Sequence, residues 1–301
     1  MSKTLEVKFL GTTLKNPIMT ASGTFGYGIE FSPYMDVGRL GGIISKGLTL
    51  HPKAGNDGIR IWETPSGIMN SIGLQNPGVH HFIEEELHVM QDLNDYVVAN
   101  LGGNTLDDYK EGIRLLDATD VDAIELNISC PNVKHGGMAF GIRCEDAELV
   151  VSEVRPLTSK PMIVKLSPNA YTLVELAKRV EGAGADAVSL VNTFNAMVID
   201  IFKRRTVFNN KTAGLSGPAI RPIALRMVYE VAKGVDIPVV GIGGIDSWES
   251  AIEFIMAGAT TLQIGTANLT NPTAAVEIID GMEAFCQKEG IQSLDEIRGI
   301  I

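Results

Sequence analysis

The residues of this 301-residue chain whose types could do chemistry cluster where apolar runs end. The stretch Asn127-Ile-Ser-Cys-Pro-Asn132, followed by Val-Lys-His-Gly-Gly-Met, sets Cys130 among polar neighbours. Pro131 disfavours helical geometry at Cys130 and stiffens its presentation. An unperturbed thiol has a pKa of about 8.5, so Cys130 can accept a proton where cations such as Lys46 favour the thiolate. A free cysteine is more often a small buried hydrophobe, and Cys144 and Cys286, on helical stretches, read that way. Lys46 and Lys165 each close an apolar run, and Asn100, Asn127 and Asn192-Thr193 close three more. One such lysine is commonly a snorkelling edge residue. Two of them, with three asparagines that are poor strand formers, point to a site. Each asparagine amide offers two donors and an acceptor, which suits a planar heterocycle with alternating carbonyl and N–H groups.

Two further apolar runs end in glycine, at Gly243-Gly244 in GIGGID and Gly265-Thr266 in QIGTA. Either alone reads as an ordinary turn. Together they offer backbone amides to a phosphate, and a helix beginning near Ser247 would add its dipole. GIGGID is not G-x-G-x-x-G, so a dinucleotide fingerprint is the wrong reading. The histidines His51, His80, His81, His88 and His135 form no metal pattern: His80 and His81 are adjacent and point apart on a helix. His135 reads as a solvated loop residue. Ser22, Asn70 and Asn76 fit no hydrolase elbow, because G-x-S-x-G is absent.

Eight short apolar runs position these groups: 18–20, 42–46, 96–100, 123–127, 162–166, 187–191, 238–242 and 261–264. Most are near-continuous Val, Ile, Leu and Ala, as expected of parallel strands covered on both faces. Between them lie stripes of helical spacing: Val79, Phe82, Ile83, Leu87, Met90; Leu106, Tyr109, Ile113, Leu116; Ala147, Val150, Val151, Val154, Leu157; and Leu173, Leu176, Ala177, Val180. These read as core-facing, and Gly182-Ala183-Gly184 supplies glycine at a helix end. Eight strand–helix units fit one (β/α)8 barrel over 1–301, whose strand C-termini converge on one mouth. No linker divides the chain. The loop around 128–141 carries Cys130, with Gly136-Gly137 as a plausible hinge. Segments 51–77 and 193–217 are long for barrel connections. The residues before the first strand and segment 51–77 are expected to form lid or excursion structure at the active face.

Composition narrows the partners. A formal charge of −11, from 36 acidic and 25 basic residues, argues against nucleic acid or anionic lipid held on a broad basic face. Three scattered cysteines exclude a disulfide framework, a cluster or a four-cysteine zinc site on this chain, and no metal is expected. No stretch reaches the roughly 18 uninterrupted apolar residues of a membrane span, and MSKTLEVKFLG lacks the apolar core of a secretory signal. The expectation is a cytoplasmic protein.

The residues resemble the dihydroorotate dehydrogenases over nearly the whole chain. ASGTFGYG at 21–28, SKG at 45–47, NSIGLQNPG at 70–78, ELNISCPN at 125–132, VKLSPN at 164–169, GLSGPAIRP at 214–222, GIGGI at 241–245 and QIGTA at 263–267 stand in that family's order. Cysteine at 130 resembles the soluble class; the membrane-associated class has serine there and an N-terminal extension that this sequence lacks. The short loop NVKHGGMAFG resembles the NAD-linked type B, whose catalytic subunit pairs with a reductase subunit carrying FAD and a [2Fe–2S] cluster.

The resemblance implies one FMN per chain, held by Ser22, Lys46, Gly47, Asn100, Asn127, Lys165, Val191, Gly217, Gly243, Gly244, Gly265 and Thr266, the last four at the phosphate. It places dihydroorotate or orotate against Lys46, Asn70, Ser71, Ile72, Gly73, Leu74, Asn127, Asn132, Asn192 and Thr193. Cys130 would act as general base, with Lys46 serving flavin and substrate and Lys165 countering charge on the reduced flavin. The implied activity is oxidation of dihydroorotate to orotate in pyrimidine biosynthesis. Electrons would pass through the partner to NAD in a two-plus-two heterotetramer. The alternatives are a fumarate-using homodimer of the same family and a flavin-free barrel isomerase or synthase acting on a phosphorylated substrate.

Overall fold

A computed structural model describes residues 3–129 and 140–301. Cys130, Asn132, His135 and most of the 128–141 loop lie outside the described residues. The eight apolar runs form β1 (Ile18–Thr20), β2 (Ile43–Ile44), β3 (Val97–Gly102), β4 (Ala123–Asn127), β5 (Met162–Lys165), β6 (Ala187–Leu190), β7 (Val239–Ile242) and β8 (Thr261–Ile264). Their order in the sheet is β1-β8-β7-β6-β5-β4-β3-β2, every pair parallel. The two ends meet through a parallel bridge between Met19 and Gly42, and the Ile44 N–H donates to Thr20 Oγ1 at 3.0 Å. The result is a closed (β/α)8 barrel.

The outer helices follow the expected stripes. They are α1 (79–93, with a π-type turn at Phe82–Glu86), α2 (Leu106–Asp117), α3 (Cys144–Val154), α4 (Leu173–Gly182), α5 (Arg221–Ala232), α6 (Trp248–Met256), α7 (Thr266–Thr270) and α8 (Ala274–Glu289). Val79, Phe82, Leu87 and Met90 of α1, and Tyr109, Ile113 and Leu116 of α2, are buried against the outer faces of the strands. A capping box of Thr105 and Asp108 starts α2, satisfying amides that the first helical turn leaves unpaired.

The first connection departs from a strand–helix unit. Between β1 and β2 only a 3₁₀ turn at Val37–Arg39 forms. Gly23, Gly26 and Gly28 all take positive φ, which breaks any helix, and the segment is fastened instead by stacking of Phe25 on Phe31 with ring centroids 4.0 Å apart.

The N-terminal segment also differs from expectation, because it lies at the end of the barrel opposite the strand C-termini. Val7–Phe9 and Thr12–Leu14 form a hairpin. Its Val7, Phe9 and Leu14 pack with Met19, Ile44, Val98, Ala123, Ile163, Ala187 and Val240, the inward residues nearest the strand N-termini. That apolar layer would otherwise face water, so the hairpin is a plug and not a lid.

The two long insertions do form structure at the mouth, and they form it together. Ile61–Thr64 and Gly67–Asn70 pair as a hairpin, and Thr212–Ser216 adds to Gly67–Asn70 and to Phe194–Met197. One four-stranded antiparallel sheet therefore joins segments 51–77 and 193–217. Met69, Phe208 and Ala213 are buried beneath it, while Asn210 Nδ2 donates to Ser71 Oγ at 3.3 Å.

The plug carries a direct test. Phe9 is fully buried, so Phe9→Ala is expected to cost about 3–5 kcal/mol in denaturant unfolding, the range for truncating a core phenylalanine. A loss below about 1 kcal/mol would show that the barrel floor does not need the hairpin.

Candidate active site

Alternation along the strands decides what enters the barrel. Val98 and Ala123 point inward in the floor layer. Two residues further along the same strands, Asn100 and Glu125 occupy the next layer, and two further still come Gly102 and Asn127. Lys165 follows Ile163 on β5, Ser189 follows Ala187 on β6, and Gln263 lies beyond the floor on β8. A polar layer therefore sits between the apolar floor and the mouth.

Above that layer opens a cavity of about 780 Å³, within the range of small-molecule sites. Its lining contains Ser22, Lys46, Gly47, Asn127, Lys165, Val191, Gly217, Gly243, Gly244, Gly265 and Thr266. It also contains Asn70, Ser71, Ile72, Gly73, Leu74, Asn192 and Thr193. The strand ends and both insertions thus converge on one space, as the sequence implies. Asn100 is the exception among the described candidates. It is fully buried one layer down, beneath Gly47, where a Cβ would come within 3.1 Å of its Oδ1.

The glycines form a cradle that side chains would fill. Gly217, Gly243 and Gly244 have φ of +96°, +127° and +77°, a region that L side chains enter only with strain. A Cβ on Gly244 would lie 2.8 Å from the Gly217 carbonyl oxygen, and one on Gly217 would lie 2.9 Å from Gly67 Cα. The bare backbone of Gly265 and Gly244 faces the cavity beside Thr266, whose hydroxyl donates to Ser216 Oγ at 2.8 Å. The N-terminus of α6 is closed by its own box, in which the Ser247 side chain accepts from Ser250 N–H. Its first-turn amides are thus partly engaged, and an anion would be met first by the glycine turns. The lining is rich in donors, with Lys46 and Lys165 as its two cations among the described residues. An acceptor-rich group with a phosphate tail, such as a flavin mononucleotide, fits that chemistry and volume.

A fully buried carboxylate lies just under the cavity. Glu125, fully buried, accepts from Asn100 Nδ2 at 2.5 Å, Ser189 Oγ at 2.8 Å and Gln263 Nε2 at 2.6 Å, and faces Lys165 Nζ at 3.6 Å. Glu125, Ser189, Gln263 and Ser129 escape a reading based on strand ends. What marks Glu125 is a carboxylate in the middle of an apolar strand, in phase with Asn127. Lys46 is half-buried with its own constraint: burial holds its ammonium below the ordinary lysine value of 10.5, against a smaller upward pull from Glu30. Cys286 is a core residue whose thiol pKa burial raises. Cys144 is half-buried against Thr172.

A sequence profile described as dihydroorotate dehydrogenase matches residues 4–286. The chain belongs to the dihydroorotate dehydrogenase family. It is 57% identical over 296 residues, 98% of this chain and 99% of the relative, to a protein of Petrotoga mobilis named dihydroorotate dehydrogenase B (NAD(+)), catalytic subunit. Proteins with the same name from Porphyromonas gingivalis and Thermoanaerobacter pseudethanolicus are 52% and 51% identical, covering 96% and 98% of this chain and 94% and 98% of the relatives. Membership of the dihydroorotate dehydrogenase family agrees with the barrel, its glycine cradle and the paired lysines. Among the described residues no helix is long and apolar enough to cross a membrane.

The Lys46 environment predicts a pH dependence. Because the folded chain disfavours the charged form, the penalty is full below the lowered folded pKa and disappears above 10.5, where both states are neutral. Lys46→Met is expected to raise the Tm of ligand-free protein at pH 7, and the gain should shrink as the pH nears 10.5. A gain independent of pH would assign it to packing.

Proposed function

We propose that this chain is the catalytic subunit of an NAD-linked dihydroorotate dehydrogenase, oxidising dihydroorotate to orotate in pyrimidine biosynthesis. The single observation that carries the reading is the convergence, in one barrel mouth, of the glycine cradle, Lys46, Lys165 and the asparagines Asn127 and Asn192. The names of relatives about half identical along their full length supply the substrate and the acceptor.

FMN, when bound, supplies a two-electron acceptor that the side chains of this protein lack. Gly217, Gly243, Gly244, Gly265 and Thr266 would hold its phosphate with backbone amides and a hydroxyl. Ser22, Gly47 and Val191 would bound its ring system, with Asn100 supporting that wall from beneath Gly47. Asn70 to Leu74, Asn127, Asn132, Asn192 and Thr193 would orient the pyrimidine and its carboxylate, and Lys46 would neutralise that carboxylate. Cys130 would take the proton from the ring carbon beside the carbonyl as the hydride leaves the neighbouring carbon. Lys165 would oppose the negative charge that develops when the electrons leave the substrate, since a fixed cation in a water-poor site acts where charge appears.

The designation catalytic subunit in the relatives' names points to a second subunit. A reductase partner bearing FAD and a [2Fe–2S] cluster, in a two-plus-two heterotetramer, would carry electrons to NAD.

The purified chain is expected to be yellow and to be bleached by dihydroorotate under anaerobic conditions, with NADH ineffective until the partner is added. A colourless protein would instead favour a flavin-free barrel enzyme, and a partner-free homodimer reducing fumarate would displace the NAD-linked assignment. Cys130→Ala should slow anaerobic flavin reduction by roughly two to four orders of magnitude, the usual share of a positioned general base, while keeping the flavin. Gly244→Ala should lose the flavin instead, read as flavin absorbance per chain after gel filtration.

A further inference from the structure

We propose that Glu125, which does not line the cavity, is a positioning residue. Its carboxylate sets the donor-to-acceptor direction of a hydrogen-bond relay running up to the mouth. The inference rests on the functional reading above and deepens it by saying why the mouth accepts a ring rich in carbonyl oxygens.

The direction follows from chemistry at each joint. A carboxylate only accepts, so Asn100 must turn its Nδ2 toward Glu125, at 2.5 Å. That leaves Asn100 Oδ1 pointing up, where it accepts from Asn127 Nδ2 across a long 3.4 Å. Asn127 Oδ1 in turn accepts from Ser129 Oγ at 2.7 Å, and Ser129 Oγ accepts from Asn192 Nδ2. The relay ends on backbone: Asn192 Oδ1 accepts from the Thr193 N–H at 2.8 Å. Both ends are therefore fixed, one by a group that cannot donate and the other by a group that cannot accept.

The polarity of the mouth follows. The carbonyl oxygens of Asn100, Asn127 and Asn192 each accept one bond within the relay and keep one lone pair, while the amide nitrogens of Asn127 and Asn192 each keep a second hydrogen. With the Lys165 ammonium held 3.6 Å from Glu125, these cavity residues offer donors and positive charge to a ligand. A pyrimidine presenting carbonyl oxygens is complementary to that surface. One presenting amino groups in their place meets donors with donors. The remaining bonds to Glu125, from Ser189 and Gln263, converge on its other oxygen. One carboxylate oxygen thus faces the relay and the lysine, and the second is tied to the barrel wall.

A charge-transposition cycle tests the direction. Asn100→Asp sets two acceptors face to face, and is expected to lower the Tm of ligand-free protein by about 10 °C, as for an uncompensated buried charge, and to weaken orotate binding at least about tenfold. Adding Glu125→Gln restores a donor: the new amide at position 125 can donate to the carboxylate at position 100, keep its carbonyl toward Ser189 and Gln263, and leave the relay above unchanged. The double variant is expected to recover more than half of both losses, Tm being read by calorimetry and orotate affinity by the perturbation of the flavin spectrum. A structural role that depends only on shape moves neither quantity, because every substitution is isosteric. Additive losses, with the double variant less stable than Asn100→Asp alone, would overturn the proposal. Recovery of Tm without recovery of orotate affinity would overturn its ligand-facing half. A wild-type protein that binds no orotate refutes the functional reading itself, and the ligand-free Tm cycle tells that failure apart.

Discussion

Everything at the mouth depends on a two-residue step. Parallel strands in a closed barrel turn every second side chain inward, so each strand contributes a vertical column whose members differ by two in sequence. Along β4 that column reads Ala123, Glu125, Asn127, and along β3 it reads Val98, Asn100, Gly102. The bottom members close an apolar floor with the N-terminal hairpin. The middle members surround a carboxylate, and Asn127 at the top of β4 faces the cavity. A one-residue slip in either strand would send Glu125 outward into the helix layer, where no donor set awaits it.

A fully buried carboxylate is costly unless its acceptor capacity is met. Here it is met by three neutral donors and one ammonium drawn from four other strands. The arrangement locks strands β3, β4, β5, β6 and β8 together at mid-height by bonds that have direction. The apolar floor beneath supplies the bulk of the burial and imposes no such direction. The division explains why the site can be both rigid and polar: packing fixes where the strands are, and the carboxylate fixes which way their amides face.

Much of this was legible in the sequence, for physical reasons that also mark where legibility ends. Buried parallel strands must be short Val/Ile/Leu runs, and all eight such runs became barrel strands. Lys46, Asn127, Lys165 and Asn192 could be read because they terminate those runs. The glycine pairs could be read because their turns demand positive φ. Glu125 could not be read in the same way, since its partners Ser189 and Gln263 lie 64 and 138 positions away. No local pattern announces such a meeting. The end of the barrel that the N-terminal hairpin covers is hidden for a related reason: the apolar alternation of Val7, Phe9 and Leu14 shows that it covers something, but not which end. The missing first helix was visible in principle, in the closely spaced glycines at 23, 26 and 28.

The antiparallel sheet over the mouth ties two insertions separated by more than a hundred residues into one unit, with Ser216 opposite Ile68 and Gly214 opposite Asn70. Neither insertion alone closes its own backbone pairing at that seam. Transplanting one of them into a foreign barrel would leave a row of open amides and carbonyls at an exposed edge, inviting association between molecules. The two segments must therefore be engineered as a single exchangeable part.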